Sequence, residues 1–195
     1  MERRCGDCSL CCTVLRVDAL NKLGGVNCLH QDVRGPGCAI HATRPQICRA
    51  YRCLWLGGGL EEAERPDLLG AVLDVVSDGA TVRLEIREAV PGSFDDSERL
   101  QAIGERYRVS MPVRISDVGD VLDPDRPYRV LLPGGEEHRV RGEWTEVVHS
   151  GRITQRRRLS WIERAARRVI LAVRRSRQRG MRGGRGRSSP GKAEN

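Results

Sequence analysis

The chain's eight cysteines all lie between Cys5 and Cys53, and none follows in a sequence of 195 residues. No apolar stretch precedes Cys5, and the longest apolar run, Val169 to Val173, is far too short to span a bilayer. The expected compartment is therefore the reducing cytoplasm. There, dense cysteines read as metal ligands or reactive thiols in preference to disulfide bridges. Aromatic residues make up only 4% of the chain, with a single Phe, so its interior has to be built from Leu, Val, Ile and Ala. A core that lean gains from a metal centre.

The opening run is Cys5-Gly6-Asp7-Cys8-Ser9-Leu10-Cys11-Cys12. Two-residue gaps let one turn of backbone carry successive thiolates to the same ion or cluster. Cys5, Cys8 and Cys11 match the start of a bacterial ferredoxin run, but its fourth position falls on Leu15. The gaps from Cys5 through Cys8 to Cys12 are in the reverse order of a radical-SAM motif. Neighbouring side chains on extended backbone point to opposite sides. Cys11 and Cys12 are therefore expected to serve two centres, a multi-iron cluster, or one centre plus a packed thiol. Cys28, Cys38, Cys48 and Cys53 follow at wider spacing, and the eight thiolates together would suffice for two four-ligand sites. His30 and His41 lie among them as substitute ligands. His138 and His149 sit in or beside a strand-forming stretch with no partner motif and read as structural or solvent-exposed. A dense all-thiolate set with an adjacent pair favours an iron–sulfur cluster, 4Fe-4S in type, over Zn.

The pattern Cys-x2-Cys-x2-Cys-Cys, followed by Gly37-Cys38-Ala39-Ile40-His41-Ala42-Thr43-Arg44-Pro45-Gln46-Ile47-Cys48-Arg49, resembles the YkgJ-type cysteine-cluster family, described as zinc- or iron-chelating. The resemblance covers roughly residues 5 to 55. It implies metal binding through the cysteines without implying a reaction. His41 departs from it, since a Tyr often stands at that position. A related cysteine motif occurs in flagellin lysine methylases, which adds a cluster-dependent protein-modifying enzyme, such as a methyltransferase, as an alternative. This chain carries no recognisable methyl-donor site. Arg44 and Arg49 flank Cys48 and are the candidate cofactor-binding residues, able to lower thiolate basicity or to donate hydrogen bonds to a cluster's sulfurs.

The expected fold class is α+β: a small cysteine-rich metal-binding module with short helices, a small mixed α+β domain, and a basic, largely disordered C-terminal tail. Residues 1–56 form the module and 57–150 the mixed domain packed on it; 151–176 form a basic amphipathic helix and 177–195 an Arg/Gly-rich disordered tail. Within the module a helix is expected near Thr43-Arg44-Pro45, with Thr43 as its N-cap and Cys48 facing the metal. Ala71–Val76 and Thr81–Arg87 flank an Asp78-Gly79 turn and predict a hairpin. Tyr128–Leu132 and His138–Arg141 predict another around Pro133-Gly134-Gly135. Asp96 to Arg108 reads as a helix, acidic at its start and basic at its end. Ser160-Trp161-Ile162-Glu163 has the form of a capping box.

Charge divides the chain. From Arg152 onward there are 15 Lys and Arg against 2 Asp and Glu, a net of +13, while the first 151 residues carry a net of −5. The body is mildly acidic and the tail strongly basic. The partners expected are a metal ion or cluster, a protein partner, and weak nucleic-acid binding through the Arg/Gly-rich tail. The helix beginning at Ser160 shows a thin apolar stripe that could lie on an anionic membrane surface. The function read from the residues is metal binding in a redox, metal-handling or enzyme-accessory role. The alternative is a zinc-stabilised, RNA- or ribosome-associated protein that uses its tail.

Overall fold

A hairpin of β-branched and aliphatic residues starts the sheet on which everything else is laid. The computed structural model describes residues 3, 8–32, 37–77, 79, 81–118 and 126–183, with the side chains of the last helix described to residue 173. Strands β1 (Ala71–Ser77) and β2 (Val82–Glu88) pair antiparallel with Leu73 opposite Ile86, as their alternation predicts. Asp78, the first residue of the expected turn, lies outside the described residues.

After β2 the chain forms a short helix α4 (Ser93–Asp96) and then α5 (Glu98–Arg108). The expected helix from Asp96 is therefore split at Ser97. That residue is extended, and its hydroxyl accepts the Leu100 N–H (3.2 Å) as the N-cap of α5. The crossover returns the chain as β3 (Val113–Ser116), parallel to β2. A meander follows through β4 (Tyr128–Leu131), β5 (Glu136–Arg141), β6 (Trp144–His149) and β7 (Arg152–Arg158), giving one seven-stranded sheet in sequential order. The β4–β5 hairpin turns at Pro133-Gly134-Gly135 as expected, both glycines having positive φ.

One face of the sheet holds the core. Leu73, Leu84, Ile86, Val113, Ile115 and Leu131 project to it, and Leu100 and Ile103 of α5 cover them together with Phe94. Gly104 lets α5 approach Phe94: a Cβ there would stand 3.0 Å from the ring. Val72 and Asp74 project to the other face, where Asp74 pairs with Arg87 and Arg83 with Glu85 (2.7 Å). The mixed α+β expectation holds.

The cysteine segment is fastened to this sheet. Leu54 N–H donates to Leu73 O (2.7 Å) along the outer edge of β1, and Trp55 enters the core 6% exposed. Arg3 donates to Trp55 O (2.7 Å) with its guanidinium 5.1 Å from the indole. Its helices are α1 (Leu10–Val14) and α2 (Gln46–Ala50). Thr43 does not cap α2 as expected. It belongs to a 3-10 turn, His41–Thr43, and Pro45 takes the N-cap position, because the residue before a proline is held out of the helical region. A one-turn helix α3 (Pro66–Leu69) leads into β1.

The C-terminal reading needs correction in two places. Residues 152–158 belong to β7, not to a helix running over 151–176, because Arg156 and Arg158 find Glu146 (3.3 Å) and Glu143 (2.8 Å) beside the ring of Trp144 on the neighbouring strand. Helix α6 (Trp161–Gly183) starts at the predicted box: Ser160 N–H donates to Glu163 Oε2 (2.8 Å), and Glu163 N–H donates to Ser160 Oγ (3.3 Å). Its backbone passes residue 176 and reaches Gly183, so residues 177–183 are helical where disorder was expected; Arg, Gln and Met are good helix formers once a helix is nucleated. The remainder of the expected disordered tail, 184–195, lies outside the described residues. Among the described residues no helix is long and apolar enough to cross a membrane.

Candidate metal centre

Three stretches of irregular chain converge on α1. Cys28 N–H donates to Cys12 O (3.1 Å), fixing the 28–32 stretch beside the helix. Gln31 and Cys38 form an antiparallel bridge, Ala39 N–H donates to His30 O (2.9 Å), and the Gln31 side chain reaches back to Ser9 Oγ (3.0 Å). α2 then carries Cys48. The seven described cysteines are half-buried thiols, and none forms a disulfide.

These links gather Cys12, Cys28, Cys38 and Cys48 into one electrostatic neighbourhood. Burial pushes the Cys48 thiol up, the thiolates of Cys12, Cys28 and Cys38 push it further, and Arg44 opposes them. Other cysteines face different surroundings. Cys8 is raised by burial and by the Asp67 carboxylate in the first turn of α3, against hydrogen bonds from backbone groups of Leu10 and Asp67. Cys53 packs against the main core. Cys11 and Cys12 lie on a helix, not on the extended backbone expected, so their side chains diverge by about 100°. Cys5 lies outside the described residues. Among the described residues no three His, Cys, Asp or Glu side chains stand in the mutual geometry of a metal site.

A buried cation sits beside the thiols. Lys22 is 6% exposed, and its ammonium donates to three carbonyl oxygens: Thr13 (3.0 Å), Leu15 (2.5 Å) and Leu23 (3.0 Å). Two of these close the C-terminal end of α1, where unpaired carbonyls attract positive charge. Burial pulls the Lys22 pKa down, and the thiolates of Cys28, Cys12, Cys11 and Cys48 pull it back up.

Among the described residues, three buried polar atoms in this region find no hydrogen-bond partner: Gln31 Oε1, Arg44 Nε and the Tyr51 hydroxyl. Burial raises Tyr51 far above the ordinary phenol range, and the nearby Asp74 carboxylate adds to it while Arg87 opposes. Leaving a donor unmade costs about 1–3 kcal/mol. By charge and donor chemistry, but not by side-chain geometry, Lys22 and Arg44 suit an anionic group held at Cys12, Cys28, Cys38 and Cys48.

The other candidates separate clearly. The Arg44 guanidinium donates to His41 O (3.2 Å) and acts on Cys48, whereas Arg49 is exposed and makes a backbone bond to Pro45. His30 is half-buried and His41 exposed, each engaged through its carbonyl. His138 pairs with Glu136 (2.6 Å) on β5, and His149 is exposed at the end of β6. Lys22, Tyr51 and Asp67 escaped the sequence reading: Lys22 and Asp67 stand among loop or turn formers, and Tyr51 lies between Cys48 and Cys53 with no spacing signal of its own. An open cleft of about 280 Å³ borders Cys28, lined also by residues including Lys22, Leu23, Val26 and Leu29. Leu29 is almost fully exposed at its rim.

No family model matches the sequence, and no curated protein and no solved structure matches it.

Proposed function

We propose that this chain is a metal-binding protein whose centre, an iron–sulfur cluster with Zn as the alternative, is held by Cys12, Cys28, Cys38 and Cys48. The observation that carries the reading is the electrostatic neighbourhood that Cys12, Cys28 and Cys38 share with Cys48, with the buried Lys22 acting on three of the four and Arg44 Nε without a hydrogen-bond partner among the described residues. The resemblance to the YkgJ-type family agrees with it. Arg44 would donate a hydrogen bond to the centre, and Lys22 would offset its negative charge. Such a centre, when bound, supplies electron transfer if it is iron–sulfur, or a structural clamp if it is zinc. Cys28 borders the open cleft, so the centre has one side accessible to a redox partner or an incoming metal. That arrangement suits a redox, metal-handling or enzyme-accessory role. Cys8 and Cys53 serve the joint with the sheet.

The test is anaerobic purification with iron, sulfide and zinc measured per chain alongside the visible spectrum. Matched iron and sulfide with absorbance near about 400 nm is the expected result. Cys48→Ser abolishes the metal, and Cys8→Ser retains it. Folded protein free of all metals, or metal retained by Cys48→Ser and lost by Cys8→Ser, refutes the assignment.

A further inference from the structure

Helix α6 is turned the opposite way from an ordinary surface helix, which buries its apolar stripe and leaves its charges in water. Here the charged residues face the protein. Arg164 pairs with Glu143 (3.2 Å), Arg167 donates to Gly142 O (2.8 Å), and Glu163 meets Arg157 (2.9 Å); all three helix side chains are half-buried. The apolar residues point away: Trp161 is 72% exposed, Ile162 60%, Val169 63% and Ile170 53%. At about 100° per residue these four, with Ala165, Ala166 and Ala172 between them, fill an arc of about 180°. The stripe that looked thin in sequence is half the helix, and Arg168 stands exposed at its border.

We propose that α6 binds in the plane of an anionic phospholipid surface, its apolar face entering the headgroup–acyl boundary and the surrounding arginines pairing with lipid phosphates. Two requirements have to be met at once: a medium for a large aliphatic and indole face, and negative charge for a helix whose eight Arg against one Glu give a net of +7. Anionic lipid supplies both. A nucleic acid answers the charge but leaves Ile162, Val169 and Ile170 in water. A second copy of the chain answers the apolar face but sets two helices of net +7 against each other. Because no described helix is apolar enough to cross a bilayer, the association is peripheral.

The experiment is co-sedimentation of the full chain with vesicles of phosphatidylcholine alone and of phosphatidylcholine with about one-third phosphatidylglycerol. The chain is expected to sediment with the anionic vesicles only, with a blue shift in tryptophan emission that Trp161→Phe removes. The triple variant Ile162→Ser/Val169→Ser/Ile170→Ser keeps every charge and changes only exposed positions; its partition should fall on the order of tenfold or more. Failure to bind anionic vesicles overturns the proposal. So does undiminished binding by the triple variant, which would be adhesion through charge alone. Concentration-dependent dimerisation that the triple variant abolishes, without vesicle binding, would assign the face to a second copy, and retention on RNA alone would assign the segment to nucleic acid.

Discussion

Replacing Lys22 by Met tests whether the buried ammonium organises the cysteine segment. Methionine matches the length of the side chain and removes its three bonds to Thr13, Leu15 and Leu23. The losses are unequal. Thr13 O keeps the Gly25 amide (3.0 Å), and Leu23 is 43% exposed, so water can reach its carbonyl. Leu15 O loses its 2.5 Å charged donor at the end of α1. A hydrogen bond to a charged group contributes about 1.5–3 kcal/mol, and the weakened Thr13 contact adds a fraction more. Release of the lysine from its burial penalty offsets part of this. The net loss is about 2–3 kcal/mol. With a urea dependence of about 2 kcal/mol per M, the midpoint falls by about 1–1.5 M. Trp55, buried where the cysteine segment meets the sheet, reports the transition by fluorescence under anaerobic, reducing conditions. Metal content has to be measured in both proteins, because bound metal stabilises by mass action. A midpoint within about 0.2 M of the unsubstituted chain at equal metal content would refute the reasoning.

Gly104→Ala gains about 1 kcal/mol of helix propensity and meets the Phe94 ring at 3.0 Å, where overpacking costs about 1–3 kcal/mol. The expected result is a net loss of up to about 2 kcal/mol by urea titration, recovered when Phe94→Leu is added. Arg87→Met leaves Asp74 buried without its cation, so it destabilises by about 2–3 kcal/mol at neutral pH. The loss shrinks in acid, where Asp74, already raised by burial, is protonated, and urea midpoints at two pH values measure the difference. Glu64 behaves in the opposite sense. Burial alone would raise it, but the Glu61 amide (2.7 Å) and Arg106 (3.0 Å) hold its carboxyl below the ordinary 4.5. Its contribution is full above pH 4.5 and lost as pH falls through the lower folded value, so Glu64→Gln should flatten the acid limb of the stability curve.

Features that depend on neighbours in sequence were legible. Asp78-Gly79 and Pro133-Gly134-Gly135 announced two hairpins, and Ser160 with Glu163 announced the start of α6. β3 is four residues long and is held by a parallel partner across a helix, so its own residues carry little signal. β7 contains four arginines and reads as tail until Glu143, Glu146 and Trp144 are placed beside it. In the cysteine segment the density of thiols was readable, but their division among different surroundings was not. It depends on the Cys28–Cys12 backbone bond and the Gln31–Cys38 bridge, which no spacing rule specifies. The orientation of α6 was equally hidden: periodicity reveals two faces, and only the contacts of Arg164 and Arg167 tell which one meets the protein.

The outer strands of the sheet are protected against adding another strand by different means. β7 is exposed along its whole length, and its arginines repel a second copy of itself. β1 has no such charge; Ala71, Val72 and Leu73 are fully buried, and the Leu54 amide occupies the backbone edge at Leu73. The cysteine segment is thus also a cap on an aggregation-prone margin. A chain that lost its hold on that segment would present an apolar, hydrogen-bond-hungry strand to its neighbours. Integrity of the thiol-rich region and resistance to precipitation are linked at the Leu54 amide.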